Sequence, residues 1–268
     1  MRILITNDDG INAPGLAVLH AIATEVAQGG EVWTVAPAFE KSGVAHCINY
    51  AHPTMIAQMG EFAFAAEGAP ADCVLAGLHD VLKDTPPDLI LSGVNKGNNS
   101  AENTVYSGTI GACMEAALQG VKSIAMSQYF GPDNAGLANP FEAAAAYGAE
   151  LVHALLEHGD WGGASHAYGY NTFYNINFPP VAAADVKGHK VVAQGRRPSG
   201  GFGIEPHLPP NGRKYLWIKG NPQNVDSGEN TDATVNLDGF ISITPMRCDL
   251  TAHDQLDALD KALEQAPT

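Results

Sequence analysis

Asp8 and Asp9 stand side by side in the opening stretch MRILITNDDG, directly after the apolar run Ile3, Leu4 and Ile5. Like charges this close raise each other's proton affinity unless a cation neutralises them. One reading is therefore a divalent metal on the acid pair; the other is an ordinary Asp-Asp-Gly turn with solvated side chains. Ser42 lies in the loop Pro37, Ala38, Phe39, Glu40, Lys41, Ser42, Gly43. Its hydroxyl could add an oxygen ligand or belong to a simple serine-glycine turn. Gly93, Val94, Asn95, Lys96, Gly97, Asn98 and Asn99 offer side-chain carbonyls and backbone amides for coordination. The same residue types are what any positive-φ loop requires. Tyr106, Ser107, Gly108 and Thr109 immediately precede a helical pattern. Hydroxyls, a glycine and unpaired amides at a helix start form an anion site, with phosphate the usual occupant. Ser107 or Thr109 could equally be the helix N-cap, and both roles can hold at once.

These residues act together only if the fold gathers them. Ile3 to Thr6 reads as a buried parallel strand, followed by a helix with Asn12 as N-cap and Pro14 in its first turn, running through Val26. Glu31 to Ala36 reads as the next strand and completes a right-handed βαβ unit. Open α/β sheets collect ligands at the carboxyl ends of their strands, which places the Ser42 loop beside Asp8 and Asp9. Residues 47–66, broken by Pro53 and Gly60, read as short strands, and a helix opens near Asp72 and reaches Leu78. The strand Asp88 to Ser92 ends in the asparagine-rich run; a helix through Ile110 to Gln119 and a strand Lys122 to Ser127 follow. Asn139, Pro140 and Glu142 resemble an N-cap, first-turn proline and capping-box partner for a helix reaching His158. Further strands are expected at Asn175 to Phe178, Lys190 to Ala193 and Gly239 to Pro245. Between them, Gln194 to Asn230 is too long for a simple connection, so a protruding hairpin or subunit contact around Tyr215 to Ile218 is expected. Leu256, Leu259 and Leu263 mark a closing amphipathic helix.

Composition narrows the function. A formal net charge of -15 disfavours nucleic-acid and anionic-membrane partners, so an anionic substrate must be attracted locally. Cys47, Cys73, Cys113 and Cys248 form no Cys-x-x-Cys pair, and the histidines show no metal-ligand spacing. No leader pattern and no membrane-spanning run is recognisable, and a reducing cytoplasm is the expected compartment. The first turn lacks Gly-x-Gly-x-x-Gly, which disfavours a dinucleotide-dependent enzyme.

The combined motifs resemble the SurE family of survival proteins, metal-dependent nucleoside monophosphate phosphatases. They are Asn7-Asp8-Asp9-Gly10 with Ala13-Pro14-Gly15, Ala36-Pro37 with Ser42-Gly43, and Ser92-Gly93-Val94-Asn95 with Gly97 and Asn99. Tyr106-Ser107-Gly108-Thr109, Asp72-Cys73-Val74, Ser242-Ile243-Thr244-Pro245 and Asp249-Leu250-Thr251 complete the set, which runs to about Thr251. The resemblance implies Asp8, Asp9, Ser42 and Asn95 as ligands of one Mg²⁺ or Mn²⁺ per subunit, all hard oxygen donors. Asn99, Ser107, Gly108 and Thr109 would hold the phosphate, and Asp8 or Asp9 would act as base or nucleophile. It also implies a single domain spanning 1–268. Residues 1–193 would form an α/β, Rossmann-like three-layer core with a mostly parallel sheet. Residues 194–268 would form a β-hairpin, return strand and C-terminal helix exchanged between subunits of a homodimer or homotetramer. The expected substrates are nucleoside 5′-monophosphates and, alongside them, 3′-monophosphates, with short polyphosphate cleaved by some members. The chain departs from the family's second loop at Ala38, Glu40 and Lys41, and has Ala69 and Ala71 around Asp72. Glu40 in place of an asparagine could repel phosphate, which keeps open a second reading: a catalytically weak nucleotide-binding or scaffold member.

Overall fold

The computed structural model describes residues 1–163, 169–198 and 200–264. The end of the expected extension, residues 265–268, lies outside the described residues. Strands β1 (Ile3–Thr6), β2 (Val32–Pro37), β3 (Ile56–Gly60), β4 (Ala63–Ala66), β5 (Leu89–Lys96), β6 (Ser123–Gln128), β7 (Phe173–Phe178), β8 (His189–Val191) and β11 (Ile241–Met246) form one sheet in the order β3-β4-β2-β1-β5-β6-β7-β11-β8. Pairings are parallel except β3 with β4 and β7 with β11. β9 (Phe202–His207) and β10 (Tyr215–Gly220) make a separate antiparallel hairpin. β11 returns to the main sheet between β7 and β8, so the sheet draws on residues from both sides of position 193.

β1 shows why the sheet carries helices on both faces. Ile3, Leu4 and Ile5 are all fully buried, but successive side chains point to opposite sides. Ile3 and Ile5 join a core with Leu16, Leu19 and Ile22 of α1 (Pro14–Ala27) and Leu151 and Val152 of α4 (Glu142–His158). Leu4 packs on the other side with Cys73 and Val74 of α2 (Pro70–Ala76) and Ala112 and Ala116 of α3 (Gly108–Leu118). The result is the three-layer α/β architecture that the strand and helix periodicities imply. The connection from β1 through α1 leads to β2 on one side, whereas β5 lies on the other. The sheet order therefore reverses between β1 and β5, and a crevice opens at their carboxyl ends.

Four local features differ from the sequence reading. The N-cap of α1 is Ala13, not Asn12, and carries no side-chain cap bond. α4 is preceded by Phe141 rather than capped by Asn139; Glu142 accepts from the Ala183 amide at 2.7 Å instead of closing a capping box. β5 continues past Ser92 to Lys96, with a register shift against β6 between Ser92 and Asn95. Gly93 makes this possible: its φ is +133°, and a Cβ there would come within 2.2 Å of the Met126 carbonyl oxygen. Finally, α5 (Asp232–Leu237) lies where the sequence pattern indicated no helix. At the C-terminus, α6 (Leu256–Glu264) leaves Leu256, Leu259 and Leu263 exposed. Among the described residues no helix is long and apolar enough to cross a membrane.

Candidate active site

Asn7, Asp8 and Asp9 leave the carboxyl end of β1 at the sheet's switch point. The neighbouring loop after β2 is pinned to them: Lys41 donates its amide to the Asp8 carbonyl at 2.7 Å, and Ile11 donates to the Pro37 carbonyl at 2.8 Å. Asp8 is 4% exposed, and its Oδ1 accepts a hydrogen bond from the Thr109 hydroxyl at 2.6 Å. Burial pushes its carboxyl up from 3.8 to about 6; the Thr109 bond opposes that rise and the charge of Asp9 adds to it. Asp9 is also raised, chiefly by burial, with the Lys96 amide donating to its Oδ2 at 3.0 Å and opposing the shift, while Glu40 reinforces it.

The long β5 carries Asn95 into the same crevice. Its amide nitrogen donates to the Gly97 carbonyl at 3.0 Å, which orients the side chain and leaves its oxygen available. Ser42 is exposed and donates to Glu40 Oε1 at 2.8 Å, so the residue that departs from the family pattern engages a candidate ligand directly. α3 begins opposite. Ser107 is its N-cap, accepting from the Ile110 amide at 3.1 Å, and its O–H is left to donate. Gly108 packs directly on the acid: a Cβ there would sit 3.0 Å from the Asp8 Cβ and 3.2 Å from Oδ2.

A cavity of about 490 Å³ joins these parts, with Asp8, Ser42, Asn95, Asn99 and Ser107 in its wall. Asp9, Gly108 and Thr109 stand outside that lining; Gly108 and Thr109 touch the site through Asp8. Asn99 is embedded in a polar network. Its side-chain amide donates to Ser127 Oγ at 2.8 Å, its backbone amide to Asn177 Oδ1 at 2.7 Å, and its carbonyl accepts from Asn175. Asn175 and Asn177 are fully buried on β7. Sequence reasoning missed these supports, as it missed Asn103 and Gln223 in the cavity wall, where Asn98 of the asparagine-rich run also stands. The signal in the sequence was the inward polar alternation Asn175, Asn177 within an otherwise apolar strand.

The donor set suits a hard cation. Asp8 and Asp9 each commit one carboxylate oxygen to the hydrogen bonds above and keep another, while Asn95 contributes an amide oxygen and Ser42 a hydroxyl. Among the described residues, no group of three or more His, Cys, Asp or Glu forms an alternative metal site.

Fold and site together define an α/β protein with an acid pair and a hydroxyl-capped helix start facing one another across the carboxyl edge of a parallel sheet. The family model of survival protein SurE matches residues 3–200, and the chain belongs to that family. A relative from Jannaschia sp. (strain CCS1), named 5′-nucleotidase SurE, is 69% identical over 266 residues, covering 98% of this chain and 100% of its own. One of the same name from Ruegeria pomeroyi is 61% identical over 264 residues, covering 98% and 100%. The crystal structure of SurE protein from Aquifex aeolicus superimposes with a TM-score of 0.79 at 31% identity, covering 99% of this chain and 100% of that one.

Proposed function

We propose that the chain is a metal-dependent phosphomonoesterase that hydrolyses nucleoside 5′-monophosphates to nucleoside and phosphate. The observation that carries this reading is the buried Asp8 carboxylate sharing one cavity with Ser42, Asn95, Asn99 and Ser107. The relatives' shared name, 5′-nucleotidase SurE, supports the nucleotide as substrate. Asp8, Asp9, Ser42 and Asn95 would hold one Mg²⁺ or Mn²⁺, which supplies positive charge to a phosphoryl oxygen and lowers the pKa of water.

The chain's own residues do the rest. Thr109 fixes the rotamer of Asp8 and favours its ionised form. Ser107 donates its free O–H to a phosphoryl oxygen, and the first amides of α3 with its dipole stabilise charge there. Asn99, held in place by Asn177 and Ser127, lines the same cavity. Asp9, hydrogen-bonded to the Lys96 amide, is positioned to orient or deprotonate the nucleophile.

The exposed apolar hairpin, with Ile204, Leu216, Trp217 and Ile218, and the bare leucine face of α6 support assembly as a homodimer or homotetramer through residues 194–268. The unpaired Cys47, Cys73, Cys113 and Cys248 support a reducing, cytoplasmic setting. The deciding experiment is phosphate release from a panel of nucleoside monophosphates with Mn²⁺, with Mg²⁺ and with chelator. Metal-dependent release that Asp9→Asn abolishes while the far-UV spectrum stays native is expected. Nucleotide binding without release under every metal condition would overturn the reading.

A further inference from the structure

Arg197 is only 1% exposed and heads the wholly buried side chains by size. Burying a guanidinium is costly unless every donor is matched, and here all are. Nη1 donates to the Ser100 carbonyl and to Glu102 Oε1, both at 3.2 Å. Nη2 donates to Asn98 Oδ1 and to Ser100 Oγ, both at 3.1 Å, and Nε donates to the Gln223 carbonyl at 3.2 Å. The Arg197 backbone amide donates to Glu102 Oε2 at 2.9 Å. One side chain thus fastens the segment following β10 to the loop following β5.

Both fastened parts reach the cavity. Asn98, Asn103 and Gln223 line it, and Asn103 Nδ2 donates to Gln223 Oε1 at 2.7 Å and to Asn98 Oδ1 at 3.3 Å. Tyr106 and Phe202, packed edge-to-face with centroids 4.9 Å apart, continue the same wall. This amide and aromatic wall carries no ligand of the acid-pair site and leaves room beside the phosphate end for an apolar ring with polar edges. A fully matched buried charge is better suited to fixing one geometry than to adding stability.

We propose that Arg197 is a positioning residue for substrate selectivity, holding the Asn98, Asn103 and Gln223 wall in register with the phosphate end so that it receives the nucleoside. The inference rests on the nucleotidase reading above. Its test compares kcat and KM of the metal-loaded full chain for a nucleoside 5′-monophosphate and for 4-nitrophenyl phosphate. Arg197→Gln and Gln223→Leu are each expected to lower the nucleotide kcat/KM about tenfold more than the aryl phosphate value, through KM, since each disturbs buried polar pairing. If Arg197→Gln does not fold, Glu102→Gln, which weakens the ion pair to Arg197 from outside the cavity lining, carries the test, with the same selective rise in nucleotide KM expected. Equal losses for both substrates, or an unaltered ratio, would overturn the proposal. A wild-type enzyme that hydrolyses neither substrate would instead overturn the nucleotidase reading itself.

Discussion

Replacing Asp8 by asparagine is expected to remove activity and yet stabilise the metal-free protein at neutral pH. Asp8 is 4% exposed, and burial raises its carboxyl from 3.8 to about 6. A carboxyl raised on folding binds its proton more tightly in the folded state. The associated stability is complete below 3.8 and is lost as the pH climbs through about 6. A rise of that size corresponds to about 3 kcal/mol of folding free energy missing from the metal-free wild type above that range. Asparagine preserves the shape and still accepts from Thr109, but has no charge to desolvate. For a chain of this size, about 3 kcal/mol is on the order of 6 °C or more in Tm. Thermal unfolding in chelator, at about pH 5 and about pH 8, reads the effect: the variant should exceed wild type at both, by roughly half as much at the lower pH as at the higher. Saturating Mn²⁺ should reverse the order, because only the wild type gains binding free energy from the ion. A chelated variant no more stable than wild type at the higher pH would refute the burial argument.

Thr109→Val deletes the 2.6 Å bond to Asp8 without changing the side chain's size, and is expected to weaken Mn²⁺ binding by about 10- to 100-fold in calorimetry. Unchanged affinity would show that Asp8 needs no such orientation. Glu40→Gln removes a negative charge beside the site while keeping an acceptor for Ser42, and KM for a phosphate ester should fall roughly two- to fivefold. A KM that stays the same or rises would mean that Glu40 does not repel the substrate.

The acid-pair end of the site was more legible in the sequence than the rest of the cavity. Asp8, Asp9 and Ser42 follow strand ends and Ser107 precedes a helix, where local pattern and the strand-end rule act together, whereas Asn95 lies inside the longer β5. Fold class was legible for the same reason: fully apolar Ile3 to Ile5 and the helical spacing from Leu16 to Val26 each carry a period that survives tertiary packing. Helix caps were less so, since Ala13 and Phe141 occupy those positions and Glu142 turns to Ala183 across the fold. Thr109 reads as a phosphate contact by sequence, whereas in the structure its hydroxyl binds Asp8; only the buried juxtaposition reveals that partner. The other wall was legible only at Asn98 and Tyr106, and its fastening not at all. Arg197, Asn98 and Gln223 are far apart in sequence and converge only because the hairpin segment folds back over the loop after β5.

On the proposed reading, Asp8, Asp9, Ser42 and Asn95 together hold one divalent cation. Anomalous diffraction at the manganese edge from crystals grown with Mn²⁺ tests it most directly. One manganese peak per chain, bonded to oxygens of those four residues, is expected. Bare acids with no manganese beside them, or an ion bound elsewhere, would contradict it.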